Sequence, residues 1–372
     1  MRSVWRPEDV DAQWLTAVLR QARVLTEAAV TSFTVEPVGT GQMADSFRFA
    51  LALDRGEPGA PASVVGKFTA ADPTSRATAL AMRTSEVEVR FYQQVAPTVR
   101  VPTPVCHHAA VDPATAEFAL VMSDVSPCRQ GDQLTGCGVD DAATCLEAMA
   151  ALHAPRWGDP SLRALEWLDR RSEESLAMGE TVLPMLFSGF VDRYGGVLSA
   201  QALGVGEGLM AHLSSYLRDQ PGPATVQHGD FRLDNLLFAG GEASGAGGAG
   251  AVPGAPAVTV VDWQTAVLGP GLLDASYFLG AGLLVEDRRS HERALLREYH
   301  DRLLSQGVAG YSWEDCLADY RRYAYAGYLM AVGASMMVER TERGDAMFLA
   351  MAERHATQVL DLESLSLLEA VS

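Results

Sequence analysis

This 372-residue chain is short of basic charge: 29 Lys and Arg stand against 47 Asp and Glu, a net charge of -18. That balance argues against sequence-independent nucleic-acid binding, which needs basic stripes to displace phosphate counterions. The acidity is compatible with a cationic substrate drawn to an acidic cleft, and more readily with ordinary solubility. Lysine is almost missing, since the basic residues are arginines except for Lys67. The five cysteines, Cys106, Cys128, Cys137, Cys145 and Cys316, are odd in number and lack metal-site spacing, which reads as free thiols in a reducing compartment. No apolar run reaches the roughly 18 residues of a membrane helix, and the stretch Met1 to Glu8 lacks the apolar core of a signal peptide. The expectation is a cytoplasmic protein with no membrane and no nucleic-acid partner, monomeric or homodimeric.

The informative segment is His228-Gly229-Asp230-Phe231-Arg232-Leu233-Asp234-Asn235, followed by the apolar triplet Leu236-Leu237-Phe238 and, further on, by Val258-Thr259-Val260-Val261-Asp262-Trp263-Gln264. The two apolar runs read as short strands. Paired antiparallel, they place the start of one beside the end of the other, so that Asn235 and Asp262 meet at one edge. An amide oxygen and a carboxylate there suit a hard cation such as magnesium, which takes few protein ligands and keeps phosphate and water. Asp230 then faces a hydroxyl nucleophile, and the chemistry read from the set is phosphoryl transfer. His228 reads as a brace for the loop rather than a substrate contact. A metal-dependent hydrolase would want further ligands at short spacing, and His107, His108, His153 and His291 show no such grouping.

Upstream, Val35 to Phe49 reads as strand, glycine turn and strand, with Gly39 and Gly41 able to offer backbone N–H groups to phosphates. Ser63 to Phe68 is a β-branched strand carrying Lys67, placed where phosphates need a fixed cation. Residues 75 to 95 read as one helix with the apolar stripe Val87, Phe91, Val95. Glu86 and Glu88 flank that stripe, and either could orient Lys67.

In order, Gly39 to Ser46, Lys67, Glu88-x-x-x-Tyr92, Val121 to Asp124, His228 to Asn235 and Asp262-Trp263-Gln264 resemble the aminoglycoside phosphotransferase-like kinases, in particular the ecdysteroid-kinase-like (choline-kinase-like) branch. The resemblance spans about residues 35 to 280, and its two C-terminal motifs are the specific ones. It implies an α+β, two-lobed protein-kinase-like fold that uses ATP and magnesium to phosphorylate small-molecule hydroxyls. It makes Asp230 the catalytic base, Asn235 and Asp262 the metal ligands, and Lys67 the phosphate contact paired with Glu88. It also makes Leu120 to Asp124 a hinge whose backbone, including Met122, meets adenine. Trp263-Gln264 replaces the Phe-Gly of protein kinases, which argues against an activation switch of their kind, and the third glycine of their turn is missing.

The expected organisation is a strand-rich nucleotide-binding lobe over residues 1–122, opened by a helix from Pro7 to about residue 30, and a mainly helical catalytic lobe over 123–372. Its expected helices are 142–154, 174–197, 203–217, 274–284, 290–304, 313–340 and 345–362. The low-complexity run from Ala239 to Ala257 is expected as a mobile hairpin tip. Arg129 and Asp132 read either as substrate contacts or as part of a solvated loop, and Asp274 as a helix cap or anchor. The expected activity is an ATP- and magnesium-dependent kinase of an antibiotic, amino sugar, nucleoside or sterol-like acceptor. The alternative is a nucleotide-binding pseudokinase, against which Lys67, Asp230, Asn235 and Asp262 all speak. A protein kinase is disfavoured by the short distance from Asp262 to Gly269-Pro270.

Overall fold

The computed structural model describes residues 3–39, 43–240 and 256–369. It divides into two compact units, one of Met1–Pro97, Thr103–Pro127 and Val261–Thr265, the other of Thr98–Pro102, Cys128–Val260 and Ala266–Ser372.

The first unit opens with α1 (Ala12–Gln21), capped by the Asp11 side chain, which accepts from the Trp14 amide at 2.7 Å. Trp14, Leu15, Val18 and Leu19 form one buried face, packed with Phe49, Val64 and Phe68 of the sheet. The expected helix to residue 30 stops here. Arg23 takes a left-handed backbone (φ 60°), and the amides of Val24 and Leu25 both turn back to the Leu19 carbonyl. Strands β1 (Val30–Pro37), β2 (Ala44–Leu53) and β3 (Ser63–Thr69) follow. After them come α2 (Pro73–Met82), α3 (Thr84–Arg90), β4 (Cys106–Asp112) and β5 (Glu117–Ser123). The five strands make one antiparallel sheet in the order β1-β2-β3-β5-β4, with Lys67 opposite Ser46 and Leu120. Strand alternation sends Val64 and Phe68 into the α1 core and leaves Lys67 on the other face.

The single helix expected over 75–95 is broken. Arg83 adopts φ 58° and ψ 25° between α2 and α3, and Phe91–Val95 continue α3 as a wider π-type turn. The predicted stripe survives the break, because Val87, Phe91 and Val95 all lie on α3 and the turn after it, each fully buried.

In the second unit, β6 (Cys128–Gln130) precedes four helices: α4 (Val139–His153), α5 (Glu173–Tyr194), α6 (Ala200–Ala211) and α7 (Leu213–Arg218). Strands β7 (Ala224–Gln227), β8 (Leu236–Ala239), β9 (Val258–Val260) and β10 (Val267–Pro270) come next. The chain closes with α8 (Leu272–Gly282), α9 (Val285–Ser305), α10 (Trp313–Arg322), α11 (Ala326–Met337), α12 (Glu342–Asp361) and α13 (Leu365–Glu369). Strands β6-β8-β9 form one antiparallel sheet, and β7 pairs with β10. The strand pair read from the sequence is present, with Leu236 opposite Val260 and Phe238 opposite Val258, and the Ala239 amide still bonds the Ala257 carbonyl at 3.0 Å. Residues 241–255, most of the expected hairpin tip, lie outside the described residues, as does Gly41.

Two further helices are shorter than the periodicity suggests. The 203–217 segment divides at His212 into α6 and α7. The 313–340 segment divides at Tyr323–Tyr325, where the amides of Ala324 and Ala326 bond three residues back and the Tyr323 hydroxyl is drawn to the Pro221 carbonyl at 2.5 Å. Tertiary burial of the tyrosines overrides a continuous helical pattern there. Among the described residues no helix is long and apolar enough to cross a membrane.

Close helix contacts in this unit depend on glycine for space. A Cβ at Gly327 would sit 1.8 Å from His355 Nε2, whereas one at Gly204, exposed on α6, would meet nothing within 4 Å. Gly327→Ala is therefore expected to destabilise the protein by about 1–3 kcal/mol. Gly204→Ala should stabilise it by about 0.4–1 kcal/mol. Urea unfolding of both variants checks the pair, and a Gly327→Ala protein as stable as wild type would show that His355 can move aside.

Candidate active site

Two groups of candidate side chains are assembled, one in each unit. In the first, Lys67 Nζ lies 2.7 Å from Glu88 Oε2 and 2.7 Å from Asp262 Oδ1. Of the two candidate glutamates, Glu88 reaches the lysine. Glu86 instead pairs with Arg83 at 3.0 Å and Arg90 at 4.0 Å along its own helix. Burial alone would lower the Lys67 ammonium, but Asp262 and Glu88 outweigh it and hold the group above the ordinary lysine range, charged throughout. Burial pushes the Glu88 carboxyl up, against the pull of Lys67.

Asp262 is delivered by an unusual backbone: φ is 67°, a left-handed conformation that aspartate tolerates better than most residues. The next residue fixes the segment. The Trp263 ring stacks on Phe91 with centroids 3.8 Å apart and planes 8° from parallel, and its Nε1 donates to Thr103 Oγ1 at 2.9 Å. The lysine–aspartate contact was not anticipated from the sequence, which offered Asp262 only as a metal ligand. Gly39 sits in the β1–β2 turn with φ 77°, a conformation that favours glycine. Met122 lies buried in β5, facing Val65 and Cys106 across the sheet.

In the second unit the loop from His228 to Asn235 is tied down through its backbone. The amides of His228 and Gly229 donate to the Asp274 carboxylate at 2.7 and 3.0 Å, and His153 Nε2 lies 3.2 Å from the same group. Gly229 has φ 80°, which lets two successive amides converge on one carboxylate. His228 Nδ1 accepts from the Asp230 amide at 3.2 Å, so it braces the loop as expected. Asp274 is an anchor, fully buried, on the first turn of α8.

The Asp230 carboxylate is itself surrounded. Oδ1 accepts from the Tyr277 hydroxyl at 2.7 Å, and Oδ2 accepts from Asn235 Nδ2 at 3.1 Å and lies 3.3 Å from Arg232 Nε. Asn235 Nδ2 also donates to the Asp230 carbonyl at 2.9 Å. Burial, and then the neighbouring Asp230 charge, raise the Tyr277 hydroxyl well above the usual phenol range, so it stays a donor. Tyr277 escaped the sequence reading. The available signal was its place three residues after Asp274, on the same side of α8.

Arg129 and Asp132 are already engaged. Arg129 pairs with Asp141 at 2.8 Å and lies over the Phe238 ring, while Arg343 bridges Asp132 at 3.1 Å and Asp234 at 3.0 Å.

A magnesium ion needs hard oxygen donors, and both expected ligands carry them. The Asn235 side chain hydrogen-bonds through Nδ2, which keeps Oδ1 as its donor atom to a cation, and Asp262 presents a carboxylate. Among the described residues no cluster of three or more His, Cys, Asp or Glu is gathered.

Removing the cation between Glu88 and Asp262 tests the first group. Lys67→Met is expected to cost about 3 kcal/mol, because it strands a buried carboxylate. Without Lys67, Glu88 folds best protonated. Its raised native pKa means that the folded state binds the proton more tightly, and stability falls as pH rises above the unfolded carboxylate range. The deficit relative to wild type in urea unfolding should thus be smaller at pH 5 than at pH 8. An equal deficit at both would show that Glu88 is not the stranded charge.

A search among curated proteins finds no match. Solved structures do match. Choline kinase from Cryptosporidium parvum has a TM-score of 0.55 at 10% identity, covering 96% of this chain and 98% of that one. Ethanolamine kinase from Plasmodium vivax has a TM-score of 0.52 at 8% identity, covering 92% and 87%. At such identities the likeness speaks for the fold, which is protein-kinase-like, with a strand-rich N-terminal part and a helical C-terminal part. The sequence profile of the phosphotransferase enzyme family matches residues 74–324, about two thirds of the chain, and the protein belongs to that family.

Proposed function

We propose that this protein transfers the terminal phosphoryl group of ATP, with magnesium, to a hydroxyl of a small molecule, an antibiotic, amino sugar, nucleoside or sterol-like acceptor. The observation that carries this reading is Asp230, a carboxylate nine-tenths buried on a loop clamped by Asp274, with hydrogen-bond donors on both oxygens. A buried acceptor-only group fixed at that precision is suited to take a proton from a hydroxyl.

In this reading Asp230 orients the acceptor and receives its proton as the oxygen attacks phosphorus. Lys67 holds phosphate oxygens, its direction set by Glu88. Gly39 and Gly41 supply backbone amides, and the backbone about Met122 meets the base. Asn235 and Asp262 hold magnesium, which when bound neutralises phosphate charge. Catalysis is then positioning and electrostatics, as phosphoryl transfer requires.

ADP release from ATP and magnesium over a panel of hydroxyl acceptors tests the activity, and binding without release would favour a nucleotide-binding module. Asp230→Asn should lower turnover by about two to four orders of magnitude while nucleotide still binds; near-normal turnover would remove its assigned role. Asp262→Ala should abolish the magnesium-dependent part of the thermal shift produced by nucleotide, and an unchanged shift would place the metal elsewhere. Glu88→Gln should raise the KM for ATP and lower kcat, with Glu86→Gln close to wild type. The reverse pattern would refute the role of Glu88.

A further inference from the structure

The Asp230 carboxylate is locked about its side-chain torsion by donors on opposite oxygens, Tyr277 on Oδ1 and Asn235 on Oδ2. One donor would leave it free to turn. Asn235 comes from the same loop, so the only one of these two that ties the carboxylate to a separate rigid element is Tyr277, on α8. The same helix holds the loop backbone through Asp274, one turn earlier.

The tyrosine is in turn held from behind. Its ring lies beside the His355 ring, centroids 5.8 Å apart and planes 27° from parallel. His355 fits only because residues 280 and 327 are glycines: a Cβ would come within 2.3 Å of its ring at the first and 1.8 Å at the second. Burial pushes His355 down to about 4, so the ring is neutral. Its Nδ1 lies 3.0 Å from Gln358 Oε1, and Gln358 Nε2 donates to the Tyr320 hydroxyl at 2.9 Å and the Ser276 carbonyl at 3.1 Å. Tyr320 donates to Glu292 at 3.0 Å, and Glu292 pairs with the buried Arg288, also at 3.0 Å. Helices α8, α9, α10 and α12 thus converge on the seat of one phenol.

We infer that Tyr277 is a positioning residue for phosphoryl transfer, which from α8 fixes Asp230 Oδ1 and with it the direction in which the carboxylate faces the acceptor. The inference rests on Asp230 being the base. The acceptor O–H proton passes to the Asp230 carboxylate as the new oxygen–phosphorus bond forms, and the bond from phosphorus to the nucleoside diphosphate oxygen breaks. Tyr277 keeps its own proton throughout. A hydrogen bond to a charged group is worth about 1.5–3 kcal/mol, so its loss from the aligned state reads as about a 10- to 100-fold fall in rate.

The test uses the full chain with ATP and magnesium, water serving as acceptor, and reads ADP release. Tyr277→Phe, which keeps the ring against His355, should lower kcat about 10- to 100-fold with the KM for ATP close to wild type and the protein folded, its melting temperature lowered only by the loss of one donor to a buried carboxylate. In an Asp230→Asn background the same change should lower the rate no further, because Tyr277 acts only through that carboxylate. A kcat within about twofold of wild type, or an equal fall in both backgrounds, overturns the inference. Should the phenylalanine variant melt early, difluorotyrosine at 277 keeps the shape and alters only donor strength; kcat should then move while KM does not, and an unmoved kcat overturns it. If Asp230→Asn alone retains full turnover, the base assignment fails first, an outcome visible without any change at Tyr277.

Discussion

A carboxylate enters a protein interior only where donors replace its water, since an uncompensated buried charge costs several kcal/mol. Three of the four carboxylates buried among the described residues meet that condition at the candidate site, and much of the local architecture follows from how each is met. Asp274, wholly buried, takes two consecutive backbone amides and a histidine. That demand bends the loop through a left-handed Gly229 and joins α4, α8 and the end of β7. Asp230 takes a tyrosine, an asparagine and the edge of an arginine. Glu88 takes the Lys67 ammonium, which links α3 to the middle of the sheet. Each donor set is also a positional constraint, so satisfying the charge and fixing the site are one event.

These constraints differ in how far they can be read from sequence. Asp230, Asn235 and Asp262 stand close to short apolar runs, Leu236 to Phe238 and the β-branched Val258 to Val261, and local pattern alone gives the antiparallel partnership of β8 with β9. Lys67 is legible because a charged residue interrupts an apolar strand and because lysine is otherwise missing. The breaks at Arg23 and Arg83 are not legible, since arginine is an ordinary helix residue and takes a left-handed backbone there only to suit the packing around it. The tyrosines at 323–325 end a helix for the same kind of reason. The support of Tyr277 lies furthest from local pattern. His355, Gly280 and Gly327 stand on three helices, and only their packing shows that the two glycines make room for one ring.

The preference for lysine at position 67 follows from the geometry around it. Every other basic residue is arginine, so composition alone would place arginine there. A guanidinium presents its donors as a flat fork matched to one carboxylate, whereas an ammonium is compact and turns its three donors in different directions. Lys67 meets Glu88 and Asp262 at once, each at 2.7 Å, and under the proposed function it must also meet a phosphate. Its two present partners are unequal. The Glu88 side chain is 3% exposed and that of Asp262 24%, so releasing Asp262 toward solvent or a cation leaves far less unsolvated charge than releasing Glu88 would. Under that function Asp262 would be the partner that Lys67 exchanges for phosphate, and Glu88 the one it keeps. The stacked Trp263 holds the segment that carries Asp262, so such an exchange would need movement of the carboxylate alone.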